Sequence, residues 1–153
     1  IPGTLPPGRE ERMPLKLSLK PGERFVVNGA VLQNGDRRAV LLLQNKASIL
    51  REKDIIQPED ANTPARRIYF PIMMMYLDPA EANKFYDEFV LRLNEFMNAI
   101  RSTDVLKECV SLSREVMSAD YYKALTRCRK LLTYEQGLLG NVHSGVPERG
   151  EEN

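Results

Sequence analysis

The chain has 153 residues, of which 42% are hydrophobic and 28% are charged, and its formal net charge is +1. This composition is ordinary for a globular protein of one or two small domains. The longest apolar run, residues 68–77, contains a proline and is shorter than the roughly 20 residues of a transmembrane helix. We therefore expect no membrane span.

The two ends of the chain differ in composition from its middle. Residues 1–12 are rich in proline, glycine and charge, and we interpret them as a leader or as cloning-derived residues outside the fold. They show no apolar segment after a basic start, so no secretory signal is predicted. Residues 141–153 have a similar composition and are predicted to form a disordered tail.

Residues 13–57 are predicted to form a small β domain. Leu15, Leu17 and Leu19 alternate with polar side chains, which is typical of a strand with one buried face. The dipeptides at residues 28–29 and 34–35 are both Asn-Gly, which accepts positive φ and favours tight hairpin turns. The pattern predicts a small antiparallel five-stranded sheet, connected as a meander, which the helices or another chain must cover.

Residues 63–140 are predicted to form a helical domain of about four helices. Thr63 precedes a proline and is a predicted cap for the first helix, and Asp78 starts a similar capping pattern for the second. Apolar residues recur at helical spacing as far as Gly137 and Gly140, which are predicted to end the last helix. Strands followed by helices predict an α+β fold.

The sequence contains no recognisable set of catalytic or metal-binding residues. The single histidine, His143, lies in the predicted tail, so it supports neither a Ser–His–Asp arrangement nor a metal cluster. No glycine-rich phosphate loop opens a helix. Cys109 and Cys128 fall at apolar positions of helical patterns, which favours buried free thiols over a disulfide or a redox role. We predict that the protein is not an enzyme and uses no cofactor.

Basic residues are concentrated in the predicted β domain. Residues 13–57 carry eight lysines and arginines but only four acidic residues. Such an excess fits a polyanionic partner, but charge alone favours a solvated sheet edge that resists aggregation. The candidate RNA-binding residues are Arg51, Lys16, Lys20, Arg37, Arg38, Arg66 and Arg67.

Arg51 is the central candidate because it ends the last predicted strand. Arginine presents a fixed fork of donors that can address a phosphate or a guanine edge. In the alternative interpretation, Arg51 pairs with a carboxylate such as Glu23 and is a surface ion pair of little energetic weight. Arg66 and Arg67 lie near a predicted helix start, where cations are unfavourable. Either a phosphate contact or pairing with upstream acidic residues would explain them.

The segment IYFPIMMMYL, residues 68–77, contains three adjacent methionines. They point in different directions around a helix, so at least one faces away from any single core contact. Methionine adapts to irregular partners. One interpretation is a partner-binding surface, formed by Met73, Met74, Met75 and Tyr76. The other is a fully buried central helix, which an interior proline would kink.

Two blocks of the sequence resemble the FlbT family of flagellum-biosynthesis regulators. They are MPLKLSLKPGERFVVNGAVLQNGDRRAVLLLQNKASILREKDI and PEDANTPARRIYFPIMMMYLD, and the resemblance covers about residues 13–136. It implies a cytoplasmic post-transcriptional regulator of flagellin synthesis that associates with the untranslated leader of flagellin mRNA. It identifies no RNA-contacting residue by motif.

A shorter similarity joins both ends of the predicted β domain to the carbon storage regulator family. LKLSLKPGE and ILREKDI look like the first strand and the final arginine-containing segment of those five-stranded RNA-binding proteins. This similarity implies an RNA-contacting role for Arg51. The middle segment LLLQNKASIL departs from that family's pattern, and the helical half has no counterpart there.

The resemblance to the FlbT family implies a cytoplasmic regulator that binds the flagellin mRNA leader, and the charge distribution makes the basic sheet the expected RNA surface. The alternative is a protein-interaction adaptor or chaperone that holds flagellin or another flagellar regulatory protein and affects the mRNA indirectly. A homo-oligomer is compatible with both interpretations, and neither involves a membrane. The salt dependence of binding distinguishes the two functions. Binding through phosphate contacts weakens steeply as the salt concentration rises, whereas binding through an apolar protein contact does not.

Overall fold

The computed structural model of the chain describes residues 15–144, with side chains described as far as Leu139. The chain divides into two compact units, Ile1–Ile55 and Ile56–Asn153. Five strands lie in the described part of the first unit, called the strand unit, and four α-helices lie in the second, called the helical unit. The predicted α+β class is therefore confirmed. The predicted leader lies outside the described residues.

The strand unit contains two antiparallel sheets. Strand β1 (Leu15–Leu19) pairs with β4 (Ala39–Leu43), and β2 (Arg24–Val27) pairs with both β3 (Ala30–Gln33) and β5 (Ile49–Arg51). The five predicted strands are present, but the predicted meander is wrong because consecutive strands β3 and β4 belong to different sheets.

The two Asn-Gly pairs differ in conformation, and this difference explains the departure from a meander. Asn28 and Gly29 have φ angles of 50° and 84° and form the tight turn between β2 and β3. Asn34 instead uses its side-chain amide, which donates to the carbonyl oxygens of Lys20 and Arg37 at 2.8 Å each. These bonds hold the end of β3 against the turn after β1, so the second pair forms no two-residue hairpin.

The core of the strand unit is small. Its buried apolar side chains are Leu17, Leu19, Phe25, Val26, Ile49 and Leu50. An equal number of large apolar side chains are exposed, namely Leu15, Val31, Leu32, Val40, Leu41 and Leu42. The prediction that Leu15 shares the buried face of Leu17 and Leu19 is wrong, because Leu15 stands at the outer end of β1 and lacks their cover.

The helical unit is built on helix α1 (Pro64–Leu77). As predicted, Thr63 caps this helix: its side-chain oxygen accepts a hydrogen bond from the backbone N–H of Arg66 at 3.2 Å. The helix continues through Pro71. It packs against both α2 and α4, so most of its circumference is buried.

Three further helices complete the helical unit: α2 (Asn83–Ala99), α3 (Thr103–Met117) and α4 (Tyr121–Ser144). Each has an apolar stripe that faces the interior of the unit. The buried residues of these stripes are Phe89, Leu93 and Phe96 in α2, Cys109, Leu112 and Val116 in α3, and Ala124, Leu125, Cys128 and Leu131 in α4.

Two predicted helix ends are wrong. Asp78 does not cap α2, because a 3-10 turn (Pro79–Glu81) intervenes and the Asp78 side chain makes no capping bond. Helix α4 continues past Gly137 and Gly140 to Ser144, so neither glycine ends it. A glycine inside a helix costs only about 1 kcal/mol relative to alanine, and it ends a helix mainly where it adopts positive φ, which Gly137 does not.

Candidate nucleic-acid interface

Arg51 lies at the end of β5 and makes a forked contact with Glu23. Its Nε donates to Oε2 of Glu23 at 3.1 Å, and its Nη2 donates to Oε1 at 3.1 Å. Nη2 also donates to the carbonyl oxygen of Ser18 on β1. The Arg51 side chain thereby links β5, β1 and the turn between β1 and β2. The ion pair named as the alternative in the sequence is present, and an additional contact of Arg51 with RNA stays a prediction.

Glu23 fixes the backbone of this turn. The backbone N–H of Lys20 donates to Oε1 of Glu23 at 2.9 Å. This hydrogen bond, together with the neighbouring Arg51 guanidinium, lowers the pKa of Glu23 from its ordinary value of 4.5. The carboxylate of Glu52 also binds the backbone nearby: it accepts a hydrogen bond from the N–H of Arg24 at 2.9 Å. Both carboxylates are therefore engaged with the chain itself.

An open cavity of about 570 Å³ lies beside the Arg51–Glu23 pair, and we call it the turn cavity. Its walls are Lys20, Pro21, Gly22, Glu23, Arg51, Glu52 and Lys53. Gly22 has a φ of 72°, a conformation that glycine adopts without strain, and the space above it is empty to 4 Å. The lining therefore carries three cations, Lys20, Arg51 and Lys53, against two carboxylates, Glu23 and Glu52, which is an excess of one positive charge.

The remaining cations of the strand unit lie outside the turn cavity. Lys16 is exposed on β1, where it stands opposite Leu42 of β4. Arg37 and Arg38 are exposed in the turn that leads into β4. Of the candidates predicted in this unit, the cavity brings together Lys20 and Arg51. Sequence reasoning missed Lys53, although its place two residues after Arg51 was a usable signal.

Arg66 and Arg67 belong to the helical unit, at the first turn of α1. The Nη1 of Arg66 donates to Oδ1 of Asn62 at 3.1 Å, and Arg67 is exposed. The negative charge expected at this helix start comes from Glu135 of α4. Its carboxylate accepts hydrogen bonds from Oγ1 of Thr63 at 2.5 Å and from the backbone N–H of Ala65 at 2.9 Å. A buried carboxylate therefore offsets the unfavourable cations that the sequence left unexplained.

The methionine segment contributes mainly to the helical core. Met73 and Met75 are at most 2% exposed, and Tyr76 is buried and packs its ring 5.6 Å from that of Tyr122. Met74 alone is half-buried. A partner-binding role for these four residues stays a prediction. Because the other three are buried, Met74 is the residue of this group that a partner could contact.

The described residues supply little for catalysis. Among residues 15–144, no group of three or more histidine, cysteine, aspartate or glutamate side chains is arranged to hold a metal. Cys109 and Cys128 are free and buried. Burial raises the pKa of Cys109 to about 11 and that of Cys128 further, so both thiols are weak nucleophiles near neutral pH. Within the same residues, no helix combines the length and the apolar character that crossing a bilayer demands.

Together these features define an α+β protein with a basic strand unit and a separate helical unit. The chain belongs to the FlbT family: the model of the family described as "Flagellar protein FlbT" matches residues 15–139. The resemblance seen in the sequence is therefore confirmed.

Named relatives extend this result. The "Flagellum biosynthesis repressor protein FlbT" of Caulobacter vibrioides is 64% identical over 139 residues, covering 91% of this chain and 99% of that protein. The "Probable flagellum biosynthesis repressor protein FlbT" of Caulobacter sp. strain K31 is 65% identical over 130 residues, covering 85% and 99%. The protein of the same name from Rhodopseudomonas palustris is 40% identical over 129 residues, covering 83% and 98%. No solved structure matches the chain.

Proposed function

We propose that this protein represses flagellin synthesis in the cytoplasm by binding the untranslated leader of flagellin mRNA through its strand unit. Relatives that align over nearly their whole length carry the name of flagellum biosynthesis repressor. Binding to a leader requires charge and shape rather than catalytic groups, and the strand unit has a twofold excess of basic over acidic residues. An enzymatic activity plays no part in this proposal.

The turn cavity is the observation that carries the proposal. Three cationic residues, Lys20, Arg51 and Lys53, line it beside the carboxylates of Glu23 and Glu52, and the Arg51 guanidinium is held by its forked contact with Glu23. Such a rigid cationic rim suits the phosphates of an RNA loop better than a set of scattered surface lysines does. In this arrangement Lys20 and Lys53 contact phosphate. Arg51 keeps the rim in shape and contributes its exposed edge.

The test measures affinity for flagellin leader RNA at several salt concentrations. The double variant Lys20→Ala and Lys53→Ala should bind more weakly, and its dependence of log affinity on log salt should flatten by about 0.7 for each phosphate that is no longer neutralised. The matched control removes two exposed lysines of the helical unit, Lys84→Ala and Lys123→Ala, and it should keep the wild-type slope. If the two double variants behave alike, the turn cavity is not the RNA site.

A second candidate function is that of an adaptor for flagellin or another flagellar regulatory protein. One observation favours it: the helical unit has an open groove of about 570 Å³, lined by Met75, Ala82, Asn83, Tyr86, Asp87, Val116, Met117 and Tyr121. Met117 is 68% exposed there. Binding in this groove would depend little on salt, and Met117→Glu would abolish it without changing affinity for RNA.

A further inference from the structure

The strand unit separates charged strands from uncharged ones. Strands β1, β2 and β5 each contain a cation, which are Lys16, Arg24 and Arg51 respectively. Strands β3 and β4 contain no charged residue at all. Each of these two uncharged strands is also paired on one side only, β3 with β2 and β4 with β1. Within residues 15–144, no other strand pairs with their outer backbone edges.

Most of the exposed apolar side chains of the strand unit also lie on the two uncharged strands. Five of them lie on β3 and β4, where the exposed fractions are 70% for Val31, 44% for Leu32, 56% for Val40, 42% for Leu41 and 58% for Leu42. Their summed exposed area is roughly 400–500 Å². Successive side chains of a strand point to opposite faces, so Val40 and Leu42 lie on one face of β4 and Leu41 lies on the other. The summed area is about half of the roughly 800 Å² that each partner buries in a standard interface.

Strand edges of this kind are ordinarily protected. Proteins place lysine, proline or a bulge on an open edge so that it does not pair with another chain, and β3 and β4 carry no charge and no proline. An open edge is satisfied by another strand, but the described part of the helical unit contains only helices. A second copy of the chain supplies a strand of the required kind. Antiparallel strands also pair readily about a two-fold axis.

We propose that a second copy of this chain covers β3 and β4, so that the protein is a homodimer joined through its uncharged strands. The cations of β1, β2 and β5 are absent from the joined strands, so two basic units meet without placing like charges opposite each other. The described strand unit has about forty residues, a size at which oligomerisation is a common source of stability. This inference does not depend on RNA binding.

Sedimentation equilibrium of the full chain tests the proposal, with protein from about 1 to about 100 µM. The wild type should reach twice the mass of the 17.5 kDa chain. The variant Val31→Lys with Val40→Lys should associate about a hundredfold more weakly, because it places like charges in the interface. The matched control, Leu91→Lys with Val110→Lys, alters side chains of the helical unit that are 49% and 43% exposed. It should dimerise like the wild type.

Hydrogen exchange on the wild type keeps the test decisive even if the lysine variant fails to fold. Amides of β3 and β4 should lose protection when the protein is diluted, and those of β2 should keep it. Three results would overturn the proposal. They are a wild type that is monomeric at the highest concentration, a folded lysine variant that dimerises normally, and protection of β3 and β4 that does not change with concentration.

Discussion

In the helical unit, α1 buries eight of its fourteen residues, whereas β3 and β4 of the strand unit bury none of theirs. The helix achieves this because it packs against α2 and α4 at once. Among the strands that the structure describes, each of these two has a neighbour on one side only. The two units therefore differ in how much of their apolar surface they bury within themselves.

The two units also differ in how their charged side chains are paired. Ion pairs in the helical unit join its own helices: Arg127 of α4 donates to Glu108 at 2.6 Å and to Glu115 at 2.8 Å, both on α3. In the strand unit the carboxylates hold backbone turns, and cations such as Lys16, Lys20 and Arg38 are exposed. The helical unit contains nearly equal numbers of basic and acidic residues, whereas the strand unit carries a net positive charge.

The largest effect is expected from opening the helical core. Ile68→Ala removes a side chain that is fully buried in α1 and should lower the free energy of unfolding by about 3 kcal/mol, because apolar burial decreases and a cavity remains. The matched change in the strand unit, Val40→Ala, should cost less than about 1 kcal/mol in the monomer. Urea denaturation measures both. Equal decreases would mean that Val40 is buried as deeply as Ile68.

The buried cap of α1 gives the next largest effect. Glu135→Ala leaves the Thr63 hydroxyl and the Ala65 N–H without their acceptor, and it should destabilise the helical unit by about 2 kcal/mol. Glu135→Gln retains one acceptor oxygen and should cost clearly less. The urea midpoints of the two variants provide the comparison, and a Glu135→Gln variant as unstable as Glu135→Ala would show that charge rather than capping matters.

Sequence patterns predicted the helical unit better than the strand unit, for physical reasons visible at single residues. Helical stripes and the Thr63 cap are local, since they depend on residues three or four apart. Strand pairing is not local: the amide of Asn34 donates to the carbonyl oxygen of Lys20 in another turn as well as to that of nearby Arg37, and the Asn-Gly signal cannot reveal the first of these bonds. Glu135 was missed for the same reason, because its partners lie 70 and 72 residues away.

The candidate site shows a similar limit. The sequence identified Arg51 and named Glu23 as its alternative partner, because both lie beside strand ends. It could not show that the pair forms one wall of a cavity, since the walls come from two turns separated by about 30 residues. It also overlooked Lys53, because charge counting treats all cations alike and only the fold places this one at the rim.

Substitutions of Arg51 distinguish whether RNA binding depends on the shape of the turn cavity or only on its positive charge. Arg51→Lys keeps the positive charge but removes the fork that holds Glu23 and Ser18. If Arg51 maintains the shape of the turn cavity, Arg51→Lys and Arg51→Ala should both weaken affinity for leader RNA by about tenfold. A Lys variant that binds like the wild type would show that only charge matters. Circular dichroism of each variant confirms that the strands are retained.

The smallest effect is expected from acid, and it should appear around Glu23 in the strand unit. The pKa of Glu23 is lowered in the folded chain, first by the backbone N–H of Lys20 and then by Arg51. A lowered pKa means that the folded state favours the charged carboxylate, so this stabilisation is fully present above pH 4.5, the ordinary value. It should disappear as the pH falls through the lower pKa of the folded state.

Glu23→Gln removes the titrating group and so provides the control for the acid prediction. In the wild type, amide exchange around Lys20 should accelerate as the pH falls below about 4.5, after correction for the intrinsic pH dependence of exchange. In Glu23→Gln the same amides should exchange faster at neutral pH, but without that additional acid dependence. Amides at the start of α2, beside the exposed pair of Lys84 and Glu81, serve as the reference. An identical acid response in the wild type and in Glu23→Gln would remove Glu23 as its cause.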